Sequence, residues 1–335
     1  MNKALDHIIL SRTDSIGDVM LTLPMAGLLK QRFPGVRITF IGRTYTKPVL
    51  ERCTHVDRII TLEELEAGDA PVLIRALDAD AFIHVFPRKE LARWARQAGI
   101  PMRIGTSHRW WHWFTCTHRV SFSRKRSTLH EAQLNLKLLA PLVEITTTPL
   151  GTLATWSGFT PPALPERLTT WRRPGTRSVI LHPGSKGSAV EWGLDNFAAL
   201  MRRLSNDPYT VIVTGTKAEA EHYRTVLPLD LPNTIDAGGK LTLNELIALI
   251  GSSDALVAAS TGPLHIAAAS GIRAIGLFAP RRPIHPGRWA PIGRDAHALV
   301  NDPACATCAA GRPCDCVKQI SPERVAALLE ELPIR

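Results

Sequence analysis

The feature that most constrains this fold is an alternation of short apolar runs with helical stretches, which restarts halfway along the chain. The apolar runs lie at 7–12, 36–41, 56–60, 80–86, 101–104 and 118–122, and then at 178–182, 209–213, 255–259 and 274–278. Strands that alternate with helices build parallel sheets with helices on both faces. The sequence therefore predicts an α/β fold with two doubly wound domains and a cleft between them.

The length of the chain also favours two domains. A chain of 335 residues is long for a single hydrophobic core. A region rich in Pro, Thr and Gly follows the first set of strands and has no hydrophobic period, which is typical of a connection. We place the first domain at 1–155, the linker at 156–177, the second domain at 178–320 and a C-terminal helix at 321–335.

Composition limits the compartment and the partners. No run of about 18 apolar residues is present, so no transmembrane helix is predicted. Asp6 and His7 interrupt the place where a signal peptide would need its apolar segment, so we expect a cytoplasmic protein. The net charge of +10 favours an anionic partner, which could be a nucleic acid, a phosphorylated substrate or an anionic membrane surface.

Four of the six cysteines crowd into one stretch, CATCAAGRPCDC. They are Cys305, Cys308, Cys314 and Cys316. In a cytosolic protein this indicates free thiols or a metal site before it indicates disulfides. The spacing fits no common zinc module closely, and Cys314 and Cys316 are too near each other in sequence to chelate comfortably. We expect a thiol-rich surface loop, and metal binding is the alternative.

Two turns of the second half are typical of a phosphate site, because doubly wound sheets bind ligands at the carboxyl ends of their strands. In HPGSKGS (182–188), glycines permit a close backbone approach while Ser185 and Lys186 offer a hydroxyl and a cation. In STGPLH (260–265), a helix begins at the strand end and directs its free N–H groups at a ligand. Neither G-x-G-x-x-G nor a Walker loop is present, which argues against an NAD dehydrogenase and a P-loop NTPase.

Side chains near these turns have two interpretations each. His265, in the first turn of its helix, is either a phosphate ligand or a packed histidine, and His182 has the same ambiguity. Glu219 lies just beyond a strand end, where a carboxylate can accept hydrogen bonds from a ribose or an adenine edge. A solvated charge is the other interpretation. We interpret Trp192 as core packing.

The first half has a basic and aromatic character. Residues 103–126 contain six Arg or Lys and no acid. Interleaved with them are Trp110, Trp111, Trp113 and Phe114. This combination suits nucleic acid or an anionic, partly apolar acceptor at a membrane surface. Arg88 and Lys89 add cations at another strand end, and we predict that they bind the acceptor.

The turn SRTDSIGDVMLTLP (11–24) places Asp18 directly after Gly17, between a strand and a helix. One interpretation is a first-turn aspartate favoured by the helix dipole. The other is a catalytic carboxylate at the carboxyl end of the first strand.

Taken in order, these stretches resemble the lipopolysaccharide heptosyltransferases of glycosyltransferase family 9 over essentially the whole chain. The motifs are SIGDVMLTLPMAGLLKQRFPGVRITFIGR, RIG, HPGSKGSAVEWGLDNFAAL, TGPLHIAAASGIRAIGLFAP and PGRWAPIG, followed by the cysteine-rich stretch before ISPERV. The resemblance implies a GT-B fold with an acceptor-binding N-terminal domain and a nucleotide-sugar-binding C-terminal domain. It further implies transfer of L-glycero-D-manno-heptose from its ADP-activated donor to the lipopolysaccharide inner core, with inversion and without a catalytic metal or other cofactor.

The resemblance also implies roles for single residues. Asp18 would be the catalytic base, Thr261, Gly262 and His265 would bind the diphosphate, and Glu219 would lie beside the nucleoside. The expected partners are the donor, the anionic lipid A–Kdo acceptor and the cytoplasmic face of the inner membrane, which the enzyme would touch peripherally, and not nucleic acid.

Two positions depart from the family pattern. Ser260 stands where members usually carry Asp, and Val190 stands where many carry Lys. A GT-B enzyme with another donor or acceptor is therefore the alternative, and a basic nucleic-acid-binding protein is the non-enzymatic one.

Overall fold

The computed structural model describes residues 5–124, 127–205 and 208–334. The chain divides into two compact units, Met1–Thr160 and Pro161–Arg335. Each unit holds one six-stranded sheet in which all described neighbours pair in parallel. The boundary between the units falls inside the stretch that the sequence assigns to a linker.

Unit 1 alternates strands and helices. Its strands are β1 (His7–Ser11), β2 (Arg37–Gly42), β3 (Arg58–Thr61), β4 (Ala81–His84), β5 (Met102–Thr106) and β6 (His118–Val120). Its helices are α1 (Ile16–Met20), α2 (Leu23–Arg32), α3 (Lys47–Leu50), α4 (Leu62–Ala67), α5 (Ala70–Arg75), α6 (Lys89–Gln97), α7 (His112–Thr115), α8 (Glu131–Lys137) and α9 (Leu150–Thr155).

Unit 2 repeats the plan. Its strands are β7 (Arg177–His182), β8 (Tyr209–Val213), β9 (Thr234–Asp236), β10 (Ala255–Ala259), β11 (Arg273–Leu277) and β12 (Ala296–Leu299). Its helices are α10 (Glu166–Thr169), α11 (Leu194–Arg203), α12 (Lys217–Tyr223), α13 (Leu243–Ser252), α14 (Gly262–Ala269), α15 (Pro286–Trp289), α16 (Ala306–Ala309) and α17 (Pro322–Glu330).

The strand order locates the ligand-binding edge of each sheet. The orders are β3-β2-β1-β4-β5-β6 and β9-β8-β7-β10-β11-β12, which is the doubly wound Rossmann order in both units. The chain changes direction across the sheet between β1 and β4, and again between β7 and β10. Ligands of such folds bind at this switch point, beyond the carboxyl ends of the strands.

The burial of a strand explains whether an apolar run in the sequence predicts it. β1, β8 and β10 are buried along their whole length, as expected for central strands covered on both faces. All ten apolar runs contain strands, which confirms those predictions. The sequence missed β9 and β12, because both are short, partly exposed edge strands without an apolar run.

Local capping chemistry fixes the helices of unit 2. Thr242 and Glu245 form the expected capping box at the start of α13. Gly271 ends α14 with a φ of +79°, and α17 begins after Ser321 as predicted. Pro263 takes the second position of α14 rather than the first, because the helix already begins at Gly262. In the part of the chain that the structure describes, no helix has the length and apolarity needed to cross a membrane.

Candidate active site

Asp18 lies in α1, immediately beyond the carboxyl end of β1. Ser15 caps this helix: its hydroxyl accepts from the Asp18 N–H and donates to Asp18 Oδ2 at 2.6 Å. The carboxylate is 16% exposed, so it is held firmly and still reaches solvent. A carboxylate in a first helical turn also benefits from the helix dipole, so the structural and the catalytic interpretation are compatible.

Arg12 is the partner of Asp18 that sequence reasoning missed. It directly follows β1, is 3% exposed, and donates from Nη2 to Asp18 Oδ1 and from Nε to Asp14 Oδ1 at 2.7 Å. Burial alone would lower the pKa of Arg12, but the charges of Asp18, Asp14 and Glu131 outweigh it and raise the pKa. The guanidinium is therefore a permanent cation that fixes the direction of the Asp18 carboxylate.

A buried carboxylate on α8 completes this charged cluster. Glu131, which is 1% exposed, accepts from Arg12 Nη1 at 3.3 Å and from Arg124 Nη1. Asn135, one turn further along α8, accepts from Arg12 at 3.3 Å and donates to the Leu21 carbonyl at 3.0 Å. The turn after β1 is thus tied to a helix more than a hundred residues away in sequence.

Asp14 has an unusual titration in this cluster. Burial raises its pKa, Arg12 opposes that effect, and the nearby charge of Asp18 adds to it, so that the pKa of Asp14 rises to about 6. The Asp14 carboxyl group therefore ionises less readily in the folded protein than in the unfolded chain.

The other side of the switch point holds the predicted acceptor residues. Arg88 follows β4 and precedes α6, and its Nε is buried without a hydrogen-bond partner among the described residues. The same holds for Thr13 Oγ1 in the turn after β1. The Phe86 N–H donates to the Ser11 carbonyl at 3.1 Å, which joins the two turns. Unsatisfied polar atoms at a ligand-binding edge are candidates for contacts with a substrate.

Lys89 belongs to a surface that we call the basic-aromatic surface, formed by Lys89, Trp110, Trp113, Phe114 and Arg119. The three aromatic side chains are 62%, 58% and 68% exposed. Lys89 Nζ lies 5.0 Å from the Trp110 ring centroid, and Arg119 Cζ lies 4.7 Å from that of Trp113. Lys125 and Arg126, the last residues of the basic stretch predicted from sequence, lie outside the described residues.

In unit 2, the turn after β7 has an internal scaffold. Ser185 is 6% exposed, and both its N–H and its hydroxyl donate to Glu191 Oε1 at 2.8 Å. Lys186 follows with a φ of +49°, which is uncommon for a residue with a side chain, and it is exposed. Ser185 therefore shapes the turn and Lys186 projects from it, while a donor contact for either remains a prediction.

The turn after β10 holds a buried hydroxyl and the start of a helix. Thr261 caps α14 without a side-chain capping bond, and its hydroxyl is buried with no hydrogen-bond partner among the described residues. Gly262 is the first residue of this eight-residue helix, whose free N–H groups and positive dipole end suit an anion. His265 is 4% exposed and packs in the first turn.

Glu219 lies against the β7 turn. A side chain at Gly184 would place its Cβ 2.4 Å from Glu219 Oε1, so glycine permits this close approach. Burial tends to raise the pKa of Glu219, but hydrogen bonds from the Thr216 N–H and hydroxyl outweigh it and lower the pKa. Burial lowers the pKa of His182 to about 4, although Glu219 opposes this, so the imidazole that bonds Thr214 Oγ1 is neutral near pH 7.

The structure thus collects the predicted residues at two edges. The turns and helix starts after β7, β8 and β10, which are neighbours in one sheet, carry the six predicted donor residues at one edge of that sheet, and those after β1 and β4 carry Asp18 and Arg88 at the corresponding edge of the other sheet. Two doubly wound units of this kind define the GT-B class of glycosyltransferases. A family model described as glycosyltransferase family 9 (heptosyltransferase) matches residues 90–316, which is more than half of the chain, and the protein belongs to that family.

Individual relatives agree with this assignment. A candidate glycosyltransferase of Haemophilus influenzae is 27% identical over 314 residues, which is 90% of each chain. Lipopolysaccharide heptosyltransferase 3 of Escherichia coli is 23% identical over 291 residues, covering 78% of this chain and 80% of that one. The solved structure of E. coli ADP-heptose lps heptosyltransferase II shares the fold with a TM-score of 0.74, at 18% identity and with 97% and 98% of the two chains covered.

Proposed function

We propose that this glycosyltransferase moves a heptose from ADP-L-glycero-D-manno-heptose to the inner core of lipopolysaccharide, with Asp18 as general base. The observation that carries the proposal is the Asp18 carboxylate, held at the carboxyl edge of β1 by Arg12 and Ser15. The heptosyltransferase names of the relatives support the choice of sugar.

The reaction would be a single displacement. The acceptor oxygen forms a bond to the anomeric carbon while the bond from that carbon to the diphosphate oxygen breaks, and ADP leaves with the electron pair. The hydroxyl proton passes to Asp18, and general-base help of this kind contributes roughly 10²–10⁴-fold. Attack from the side opposite the leaving group inverts the anomeric configuration, and the oxocarbenium-like transition state resembles that of glycoside hydrolysis.

Unit 2 would stabilise the leaving diphosphate. The Thr261 hydroxyl, which has no hydrogen-bond partner among the described residues, and the first N–H groups of α14 would donate to the diphosphate, and the exposed Lys186 would add a positive charge. Such groups stabilise charge that develops as the bond breaks. Glu219 would accept hydrogen bonds from the nucleoside through Oε1, since Oε2 is engaged by Thr216.

The donor and acceptor can be tested together. The full chain is incubated with Kdo-bearing lipid A and one donor at a time, which is ADP-heptose, a UDP-sugar or a GDP-sugar. The mass of the product and the release of nucleotide are measured in each reaction. Heptose transfer that requires ADP-heptose and the lipid is expected. ADP binding without transfer would contradict the heptose assignment and point to Ser260 and Val190 as marks of another donor or acceptor. Absence of ADP binding would contradict the donor site itself.

The basic-aromatic surface would hold the enzyme at the cytoplasmic face of the inner membrane, where an anionic lipid acceptor is available. Exposed Trp and Phe insert at the interface of a bilayer, and Lys and Arg beside them are attracted to anionic headgroups. Three large aromatic side chains that are more than half exposed within one short segment are costly in water unless they meet such a surface.

Vesicle sedimentation tests this attachment. The wild type is expected to sediment with phosphatidylglycerol vesicles and to stay in the supernatant with neutral phosphatidylcholine vesicles. W113S and F114S should each weaken the binding several-fold. L73S removes another exposed apolar side chain, on α5, and should have no effect. Binding that is independent of anionic lipid, or equal in all three variants, would contradict the proposal.

A further inference from the structure

Four cysteine side chains of unit 2 converge on one point. The Sγ atoms of Cys305, Cys308, Cys314 and Cys316 all lie within 4.8 Å of one another. Cys305 and Cys314 are 3.5 Å apart, and Cys308 and Cys316 are 3.3 Å apart. Cys314 and Cys316, which are expected from their sequence spacing to be too near each other to chelate comfortably, therefore both reach this common point. With Cys308 and Cys316 buried, the group is also not a surface loop of separate thiols.

The local backbone explains the convergence. Cys305 caps α16 and Cys308 lies three residues later, so their side chains share one side of the turn. Gly311 follows with a φ of +70°, and its N–H donates to the Cys308 carbonyl at 3.0 Å. This left-handed residue ends the helix and reverses the chain, which returns Cys314 and Cys316 to the first two thiols.

The separations match one shared ion. Sulfur atoms at the corners of a tetrahedron, each about 2.3 Å from a central zinc, lie about 3.8 Å apart. The observed distances of 3.3 Å and 3.5 Å and the limit of 4.8 Å fall on either side of that value. Four thiolates in this arrangement select zinc or iron over oxygen-preferring cations. From this geometry we propose that Cys305, Cys308, Cys314 and Cys316 bind one thiophilic metal ion, zinc or iron, in a closed structural site.

The ion would have a structural role because four protein ligands leave no open position for a substrate. Cys308 and Cys316 belong to the hydrophobic core of unit 2. In the same core, Trp192 donates from Nε1 to the Ile320 carbonyl at 2.7 Å. Trp192 directly follows Glu191, the residue that holds the β7 turn through Ser185. Metal binding would fix the segment against which Trp192 packs, and so support the turn beside α14. This inference stands independently of the donor and the acceptor.

The first test measures the metal directly. The full chain is purified under reducing conditions without chelator, and its metals are quantified by mass spectrometry. About one zinc or iron per chain is expected, and the element found identifies the natural occupant. Apoprotein titrated with Co²⁺ should show intense visible d–d bands and a thiolate-to-cobalt charge-transfer band that saturate at about one equivalent. Added Zn²⁺ should abolish both.

Variants test the ligands. C305S and C314S alter the two partly exposed thiols, which makes failure to fold less of a concern, and each should lose most of the bound metal and the cobalt bands. C53S is the matched control. The Cys53 thiol donates to the Ser157 carbonyl at 3.3 Å, a bond that a serine hydroxyl can also make, so metal content should stay unchanged. Circular dichroism verifies that each variant is folded.

Three results would overturn the proposal. One is a metal-free wild type with no cobalt bands and four thiols that react freely in the native state. Another is a mass that corresponds to two disulfides in protein isolated without reductant, with no metal bound after reduction. The third is full metal content in both C305S and C314S.

Discussion

The two units have the same strand order and opposite chemistry at the same edge. Beyond β1 and β4, unit 1 gathers three carboxylates around the buried guanidinium of Arg12. Beyond β7 and β10, unit 2 offers backbone N–H groups, the exposed Lys186 and the Thr261 hydroxyl, for which the described part of the chain provides no hydrogen-bond partner. A carboxylate can take up a proton, whereas neutral donors beside one cation favour an anion. The shared fold therefore determines where a site can form, and the residues of the turns determine its chemistry.

The largest effect should come from removing the proposed base. D18N keeps the size of the side chain and one oxygen for Arg12, but an amide cannot accept the proton, so kcat should fall roughly 10²–10⁴-fold. The Kd for ADP should stay unchanged, because no donor residue is altered. D69N is the control: Asp69 is an exposed N-cap of α5, a role that asparagine also fills, and its kcat should match the wild type. Equal activity in the two variants would refute the role of Asp18.

Removing Arg12, the buried cation of the unit 1 cluster, should mainly lower stability. R12Q leaves Glu131 buried with one partner fewer, and breaking a buried ion pair in this way lowers the free energy of unfolding by about 3 kcal/mol. In R43Q the lost pair is a third exposed on both sides, so the change should stay within about 1 kcal/mol. Urea denaturation measures the free energy of unfolding of both variants. Equal decreases would show that the buried Arg12 pairs contribute no more to stability than an exposed ion pair.

Removing a donor from the unit 2 edge should weaken nucleotide binding. T261V deletes a hydroxyl that has no partner among the residues the structure describes, so stability should hardly change, while the Kd for ADP should rise roughly 10- to 100-fold if the hydroxyl bonds a phosphate. S270A deletes another hydroxyl that none of the described residues bonds, at the opposite end of α14, and should leave the Kd unaltered. Calorimetry of ADP binding compares them, and equal affinities would remove Thr261 from the site.

The smallest effect should be a pH dependence in unit 1. Because the pKa of Asp14 is raised to about 6, the folded state binds the extra proton, and ionisation lowers stability as pH rises from about 4 through 6. D14N should therefore be more stable than the wild type above about pH 6 and lose this advantage near pH 4.

Asp57 provides the opposite case. Burial raises the pKa of Asp57, but the Lys30 ammonium and the Ile38 N–H outweigh it and lower the pKa. D57N should therefore be less stable than the wild type at neutral pH, and this difference in stability should shrink as the pH falls below about 4. Denaturation curves across pH that show the same sign for D14N and D57N would contradict this account of the cluster.

The sequence predicted those parts of the fold that local pattern controls. Buried central strands such as β8 and capping residues such as Thr242 leave a signal within a few neighbours. Asp18, Lys186 and Thr261 could be singled out as candidates because turns at strand ends are recognisable, and their roles stay predictions. The Arg12–Glu131 contact spans 119 positions, so no local pattern reveals it. The bond from Ser185 to Glu191 and the convergence of Cys314 with Cys305 depend on how the backbone turns, which spacing alone does not determine.

The anomeric configuration of the product tests the central claim most directly. The wild type is given ADP-heptose of known configuration, and the configuration of the transferred sugar is read by NMR from its one-bond C–H coupling. A single displacement with Asp18 as base predicts complete inversion. Retention would require a glycosyl–enzyme intermediate or attack from the side of the leaving group. It would contradict a single displacement in which Asp18 takes the acceptor proton and unit 2 binds the leaving diphosphate.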